Sequence, residues 1–303
     1  MHLGNGFICP VTGLPMLAVA AGTAFYAFKK AKKDFTKDKI MPAVMLSALV
    51  FALQMINFAI PATGSSGHIV GGVLLAALIG PFAAFLAMCS ILLVQAVFFA
   101  DGGLLALGCN IFNMGFLACF VAYPFLFKPL EERNKPVLGA IIASVAALQF
   151  GSIAVVLEGA LSGSIQLSSL LNFTALMQAI HLPIGLVEGI VTGAVVVIAK
   201  QVKPANLSIA FGGISLILAG FISQYASTKP DGLEWSLLNI SDAFISQTQS
   251  SLYAISEALQ AKTSILLNFA PSIANIAGLM ILAVLMYFVC SFSLVGGAKE
   301  VVQ

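Results

Sequence analysis

The sequence predicts an all-α protein, a polytopic bundle of transmembrane helices, from three observations. The 303 residues are 60% hydrophobic and only 9% charged, whereas an average soluble domain is about half apolar and a quarter charged. The mean hydropathy is +1.04. Apolar segments of membrane-spanning length recur along the chain. So few charges cannot cover a water-exposed surface of this size, and the net charge of +2 is too small to indicate a nucleic-acid partner.

The apolar segments define two groups of candidate helices. In the first group they are 14–28, 40–60, 69–80, 82–99, 104–127, 137–157 and 182–199, and in the second they are 207–222 and about 270–294. The segment 69–80 is short for a full crossing, so we expect it to be tilted or partly buried. We expect seven or eight membrane-embedded helices in the first group and two in the second.

A basic linker separates these two groups and suggests a domain boundary. Lys200, Lys203 and Pro204 lie between them, which predicts a first unit at 1–203 and a second at 204–303. The two helices of the second unit flank a long polar stretch at about 223–268, which is expected to form an extracytoplasmic loop. The chain shows no internal repeat.

The positions of the basic residues predict the orientation. If each segment crosses once and the N-terminus lies outside, all 14 Lys and Arg residues except Lys229 and Lys262 fall inside. Short cytoplasmic loops are enriched in Lys and Arg, so the opposite orientation is rejected. The N-terminus is therefore expected to be extracytoplasmic and the C-terminus cytoplasmic. A cysteine at position 227 should be labelled from outside, and one at position 32 should not.

The three histidines are the candidate metal ligands. The predicted orientation places His2 and His68 on the outer side and His181 at the outer end of its helix. A lone histidine is more often structural or interfacial than a ligand. An N-terminal Met-His, however, offers the amine of Met1, the amide nitrogen of His2 and its imidazole, three nitrogens nearly in one plane. His68, in a loop of small residues, would complete a square of four nitrogens, a geometry suited to Ni2+ or Cu2+.

This donor set requires a free amine at Met1. The first basic residue is Lys29, after the first apolar segment, whereas a signal peptide begins with a positive region. Removal of the initiator methionine generally needs a small second residue, and here that residue is His2. We therefore expect Met1 to be kept.

Other polar residues in apolar surroundings are candidates for support of the site. Asn110 and Asn113 share one helix face. They are predicted either to orient a histidine or the N-terminal segment or to join helices by hydrogen bonds. His181 is interpreted as support rather than as a ligand, and Glu188, two turns later, as its structural partner. Asp101 is interpreted as a helix N-cap.

Several sequence blocks resemble one known family. The chain is similar to the CbiM/NikM-type substrate-binding subunits of energy-coupling-factor nickel and cobalt transporters. Residues 230–234 resemble the extracytoplasmic segment of the small accessory subunit of the same system, here fused. The blocks are MHLGNGF at 1–7, GSSGHIVGG at 64–72, LVQA at 93–96, DGGL at 101–104, ALGCNIFNMG at 106–115, AIHLPIG at 179–185 and PDGLE at 230–234.

The resemblance implies a function and a set of ligands. It implies capture of Ni2+ or Co2+ at the outer face of the cell membrane for ATP-driven import, with Met1, His2 and His68 as the metal-binding residues. The implied partners are a transmembrane coupling subunit and ATPase subunits, because this chain shows no phosphate-binding loop of its own. The chain itself is then neither an enzyme nor the holder of a resident cofactor. Both ions accept nitrogen ligands, so the donor set fits either.

Two alternative functions remain open. A subunit of the same architecture could take an organic micronutrient such as a vitamin, but its pocket should be lined by aromatic residues with few nitrogen donors. The single tryptophan, Trp235, lies in the outer polar stretch. A membrane-embedded enzyme that uses His and Glu would be expected to carry a motif such as His-Glu-x-x-His, which does not occur in the sequence.

Overall fold

The structure, a computed structural model, describes residues 1–31, 36–240 and 250–298. Three sets of predicted features lie outside the described residues. They are Lys32 and Lys33 of the basic stretch, the part of the outer polar stretch at 241–249, and Lys299 with the C-terminal end.

The described residues are mostly helical. The helices are α1 (Pro10–Ala31), α2 (Lys37–Gln54), α3 (Gly72–Ile79), α4 (Pro81–Phe99), α5 (Leu107–Asn110), α6 (Lys128–Glu132), α7 (Pro136–Leu161), α8 (Leu170–Ala199), α9 (Pro204–Gly220), α10 (Gly232–Leu238), α11 (Ser251–Thr263) and α12 (Pro271–Ala298). A π-helix, Ile111–Phe127, joins α5 to α6 in one continuous rod. A short antiparallel hairpin is formed by β1 (Phe58–Ala59) and β2 (Ser66–Gly67).

Six helical segments in the described part of the chain are long and apolar enough to cross a membrane. This confirms the predicted fold class, an all-α polytopic bundle. The apolar helix α9 is shorter, and α2 carries three charged residues at its start. The six segments are Pro10–Ala31, Pro81–Phe99, Leu107–Glu132, Pro136–Leu161, Leu167–Ala199 and Pro271–Ser293.

One helix begins much earlier than predicted. We expected the seventh segment to begin at 182, but α8 begins at Leu170. The polar residue Gln178 lies in its first half, and its side chain donates to Ser152 Oγ (2.6 Å) and to the carbonyl oxygen of Gln149 (3.2 Å), both on α7. Because α7 satisfies this polar group, the helix can extend through it. His181 therefore lies within α8. The sequence prediction had placed it at the outer end of that helix.

Helices α7 and α8 pack with their backbones in close approach. Gly185, Gly189 and Gly193 lie four residues apart along α8. A Cβ atom at these positions would lie 2.8, 2.5 and 3.0 Å from Cα atoms of α7. Small residues of this kind allow transmembrane helices to approach closely. The contact fixes α8, and with it His181 and Glu188, relative to the rest of the bundle.

The second unit packs against the side and the top of the first. Helix α9 lies against α2, and α12 lies against α2 and α4. Gly278 of α12 faces the rings of Phe99 and Phe51, where a Cβ would come within 2.8 Å of both. The short helices α10 and α11 contact α8 and α4, respectively. The N-terminal segment is thereby enclosed by elements of both units.

Candidate metal centre

The N-terminal segment, residues 1–7, has four buried residues, Met1, Leu3, Asn5 and Phe7, and is held through its backbone. Leu3 N donates to Asn110 Oδ1 (2.8 Å). The carbonyl oxygen of Leu3 accepts from Asn110 Nδ2 (3.2 Å) and from Gly103 N (2.7 Å). Both polar backbone groups of Leu3 are therefore fixed, and this fixes the position of the preceding His2.

The loop after α4 needs its glycines to approach this segment. Gly102 has a φ of +85°, and a Cβ there would lie 2.8 Å from Asn110 Nδ2. A Cβ on Gly103 would overlap the backbone nitrogen of Asn5. Glycine is the residue that tolerates both the left-handed conformation and the close backbone approach. The two glycines of the Asp-Gly-Gly block therefore allow this loop to pack directly against the N-terminal segment.

His2 and His68, which the sequence predicts to share one side of the membrane, lie together. Their rings stack with centroids 5.0 Å apart and an angle of 26° between the planes. His2 Nε2 lies 3.2 Å from Gln95 Oε1, and an amide oxygen can only accept. The Nε2–H of His2 therefore donates to Gln95, and the lone pair stands on Nδ1. The role of Gln95 was not predicted, although a glutamine within an apolar helix is a signal of function.

His68 is buried, and the backbone after it is fixed by Glu188. Its Nδ1 is a buried atom without a hydrogen-bond partner among the described residues. Glu188 accepts from the N–H groups of Val70 (2.7 Å) and Gly71 (3.2 Å). The predicted pairing of Glu188 with His181 is therefore wrong. The Glu188 carboxylate instead holds the loop that carries His68, because the buried N–H groups of Val70 and Gly71 need an acceptor there.

His181 faces the same place from α8. Its Nδ1 lies 2.7 Å from the carbonyl oxygen of Met177, so Nδ1–H donates and Nε2 carries the lone pair. Nε2 points toward Gly232, where a Cβ would lie 3.4 Å away. A small half-open cavity next to this ring is also lined by Met1, His68 and Asp231.

The second unit supplies an acidic partner for the N-terminal amine. Met1 N lies 3.3 Å from Asp231 Oδ2. Asp231 also caps α10, because its Oδ1 accepts from Glu234 N (2.8 Å). The preceding residues pair with β2, since Ser66 N donates to the carbonyl oxygen of Pro230 (2.8 Å). The Pro-Asp-Gly turn thus extends the small sheet and closes over the amine.

Burial and the nearby amine keep both outer histidines neutral. Burial, followed by the charge of the Met1 amine, lowers the pKa of His2 and of His68 to about 3. Burial alone would raise the pKa of Asp231, but the amine and the N–H of Glu234 outweigh it and hold that pKa below its usual range. At neutral pH the two imidazoles therefore keep the lone pairs that a metal ion requires.

Asp101 does not have its predicted role, whereas Asn113 has the second of the two roles predicted for it, a hydrogen bond between helices. Asp101 is not an N-cap, since α5 begins after Ala106. Its Oδ1 lies 3.5 Å from His2 Nδ1, and burial raises its pKa. Asn113 donates to Glu158 Oε2 (2.7 Å) rather than to the N-terminal segment. The change from α-helix to π-helix after Asn110 separates the directions of the two asparagines.

Half-open cavities lead to the two outer histidines. One has a volume of about 260 Å³, and its walls include His2, His68, Gln54 and the two aspartates Asp101 and Asp231. A second, of about 380 Å³, shares His2 and both aspartates. Acidic walls attract cations. Gln54 Oε1 is a further buried acceptor without a partner among the described residues.

A second contact from the C-terminal unit holds the N-terminal segment. Gln260 of α11 accepts from Asn5 Nδ2 (2.6 Å) and donates to the carbonyl oxygens of Ala96 (2.8 Å) and Gly102 (2.7 Å). Asn5 Nδ2 also donates to Glu257 (2.8 Å). Gln260 therefore joins the N-terminal segment, the end of α4 and the glycine loop. These contacts span more than 150 positions of sequence and were not predicted.

The candidate donors at this place are nitrogens of both backbone and side chains. Within the described ranges, no three His, Cys, Asp or Glu side chains are grouped in a way that could hold a metal ion. The groups that lie together are the Met1 amine, the imidazoles of His2 and His68, and the amide nitrogen of His2 between the first two.

Comparison with known proteins gives matches over nearly the whole chain. Residues 2–206 match the family model described as the cobalt uptake substrate-specific transmembrane region. Residues 205–298 match the PDGLE domain. The first match covers well over half of the chain.

Relatives and solved structures agree with these models. A protein of Archaeoglobus fulgidus named as a fused nickel transport protein, NikMN, is 35% identical over 69% of this chain and 72% of its own length. One of Lactiplantibacillus plantarum named as a fused nickel transport protein, LarMN, is 34% identical over 68% of this chain and 66% of its own length. The crystal structure of a truncated transition metal transporter is 33% identical, with a TM-score of 0.58, over 66% of this chain and 99% of that chain.

Proposed function

The chain belongs to the family of cobalt uptake substrate-specific transmembrane proteins, and from that premise we propose that it captures Ni2+ or Co2+ at the outer face of the cell membrane and delivers it for ATP-driven import. The observation that carries this proposal is the convergence of four nitrogen donors at one buried place. They are the Met1 amine, the His2 amide nitrogen, the His2 imidazole and the His68 imidazole. The two imidazole rings are stacked, with their centroids 5.0 Å apart.

Capture proceeds by replacement of protons. The amine is held by Asp231 at 3.3 Å, and it must lose a proton before its lone pair can bind a metal ion. The same ion displaces the proton of the His2 amide nitrogen, which passes to water, and this nitrogen completes a fused chelate with the amine and the imidazole. His68 then supplies the fourth nitrogen of a square plane, the geometry suited to Ni2+.

The surrounding residues position these donors. Asn110 fixes the backbone of Leu3, Gln95 sets the tautomer of His2, and Glu188 fixes the loop that carries His68. Such outer partners orient metal ligands and raise their affinity. His181 borders the same space from α8 and acts as support. Asn113 acts at longer range: its side chain donates to Glu158, and its carbonyl oxygen and the Met1 side chain both lie close to Gly151.

The C-terminal unit acts as an accessory that closes the site. We place the boundary between Lys203 and Pro204, with the metal-binding unit at 1–203 and the accessory unit at 204–303. The accessory unit holds the N-terminal segment at two places, Asp231 at the amine and Gln260 at Asn5. Delivery requires energy, and we propose a transmembrane coupling subunit and ATPase subunits as its source. The transported ion is the substrate, and no other cofactor is needed.

We propose an extracytoplasmic N-terminus, and cysteine labelling tests this orientation. Because position 32 lies outside the described residues, Arg133, on the exposed connection between α6 and α7, is the better inner position. A membrane-impermeant thiol reagent should label Ser227→Cys in intact cells and should label Arg133→Cys only after lysis. The unsubstituted chain, with its own five cysteines, gives the background. Labelling of Arg133→Cys in intact cells would reverse the orientation.

Calorimetric titration of the purified full chain in lipid nanodiscs tests the function itself. We expect one Ni2+ or one Co2+ to bind per chain. The Ni2+ complex should be yellow and diamagnetic, because a square plane of four nitrogens produces low-spin nickel. Mg2+, which requires oxygen ligands, should give no heat. A pale, paramagnetic Ni2+ complex would contradict the planar site, and equal heats with Mg2+ would contradict a nitrogen site altogether.

A further inference from the structure

Helix α11 has two faces of opposite character. Glu257 and Gln260 are on the face turned to the N-terminal segment. Leu252, Ile255 and Leu259, spaced by three and four residues, form one stripe along the helix. This stripe is exposed, with 42%, 61% and 52% of the three side chains accessible. An apolar stripe of this kind on an outer helix calls for something that covers it.

The hydrogen bonds of Gln260 define the depth of α11. One of them ends on the carbonyl oxygen of Ala96 (2.8 Å), which is in the last turn of the membrane-spanning helix α4. The other ends on Gly102 (2.7 Å), in the loop just beyond that turn. Helix α11 therefore lies at the level where α4 leaves the bilayer, which is the region of lipid headgroups and the first acyl carbons.

The apolar stripe continues into a surface that faces lipid. Between α11 and the membrane-spanning α12, the side chains of Ile265, Leu267 and Phe269 are more than half exposed. Ile273, on the first turn of α12, continues the same exposed surface. Because α12 crosses the membrane, these residues pass directly from the stripe to the acyl chains.

We propose that α11 is an interfacial helix whose stripe, Leu252, Ile255 and Leu259, is inserted into the outer leaflet of the bilayer. Such helices lie in the membrane plane with their apolar side among the headgroup-proximal acyl carbons. Lys262, at the edge of the stripe, can extend its ammonium group to the headgroups. The bilayer thereby holds the helix that holds Asn5, and the N-terminal segment is linked to the lipid surface through Gln260.

A third side of the same helix, about 100° from the stripe by the helical repeat, provides a matched control. Ala261 borders a half-open cavity of about 380 Å³ beside Gly4 and Asn5. Ala254 lies seven residues earlier, two turns along the same face, and is also exposed. Probes at 254 and 255 should therefore lie at the same depth, the first facing water and the second facing lipid.

Quenching of tryptophan by brominated lipid tests the inference. In a Trp235→Phe background the added residue is the only tryptophan. We expect Ile255→Trp, with one chain per nanodisc, to emit at shorter wavelength. It should lose about half of its intensity with lipids brominated on shallow acyl carbons, and less with deep bromines. Ala254→Trp should be quenched little by either lipid and readily by aqueous acrylamide.

Two outcomes would overturn the interfacial helix. Equal quenching of the two tryptophans would show that the stripe has no lipid contact of its own. A short emission wavelength at 255 without bromine quenching would show that another part of the same chain covers the stripe. Ni2+ binding and the melting temperature establish that each variant is folded. If Trp235→Phe is not folded, Trp235 is kept and the signal of the parent chain is subtracted.

Discussion

His68→Ala should abolish tight Ni2+ binding in a chain that remains folded. The other three donors come from one dipeptide, Met1 and His2, and they leave the fourth planar position to water. Loss of an outer-sphere partner costs about 10- to 100-fold in affinity, and loss of this ligand should cost more than about 100-fold. His181→Ala, which removes a neighbour of the site, should cost about 10-fold at most.

A matched substitution separates ligation from folding in this experiment. His68→Gln keeps a polar side chain of similar size in the buried position, but an amide does not replace an imidazole as a nickel ligand. It should therefore lose binding as His68→Ala does, with a melting temperature closer to that of the parent chain. Titration calorimetry and the absorbance of the nickel complex give the readouts. Tight binding to folded His68→Gln, with the yellow colour retained, would show that another group completes the square.

The sequence could predict the histidine pair because topology constrains it. Short loops rich in Lys and Arg predict that the N-terminus and the loop before α3 share one side of the membrane, and the structure brings His2 and His68 together. The segments that become membrane-embedded helices were located by their apolar content alone. Apolar content could not define the start of α8. Its first half contains polar side chains such as Gln178, whose partners on α7 appear only after packing.

The contacts that surround the histidines could not be predicted, because they join distant parts of the chain. Asp231 reaches Met1 across 230 positions, and Gln260 reaches Asn5 across 255. Local patterns favoured an N-cap for Asp101 and a partner on the same helix for Glu188. In the structure both carboxylates serve the N-terminal site, Asp101 at His2 and Glu188 at the loop after His68. Buried donors that have no acceptor nearby in sequence are paired in the fold with acceptors from distant parts of the chain, such as these carboxylates.

A one-residue extension of the N-terminus should impair transport although no side chain of the protein is changed. A Met-Gly extension is expected to lose its new methionine, because glycine is small, and to leave Gly before Met1. The amine would then move by one residue, about 3.8 Å, away from Asp231. Met1 is only 4% exposed, so the added glycine has little room. Metal uptake by cells should fall toward that of cells without the transporter. An equal extension after Gln303 should leave uptake unchanged at matched expression.

The extended chain also changes how metal binds, and this gives the sharper test. With His2 now third, the amine, two amide nitrogens and the imidazole fill all four planar positions, so His68 is no longer needed. Nickel bound to the extended chain should therefore be retained when His68→Ala is added, whereas the same substitution should abolish binding in the parent chain. Calorimetry on the four proteins measures this interaction directly. Two results together would contradict the proposal: an equal effect of His68→Ala with and without the added glycine, and equal uptake by the N-terminally and the C-terminally extended chains. The terminal amine would then not be a ligand, and side chains of the buried centre alone would hold the metal.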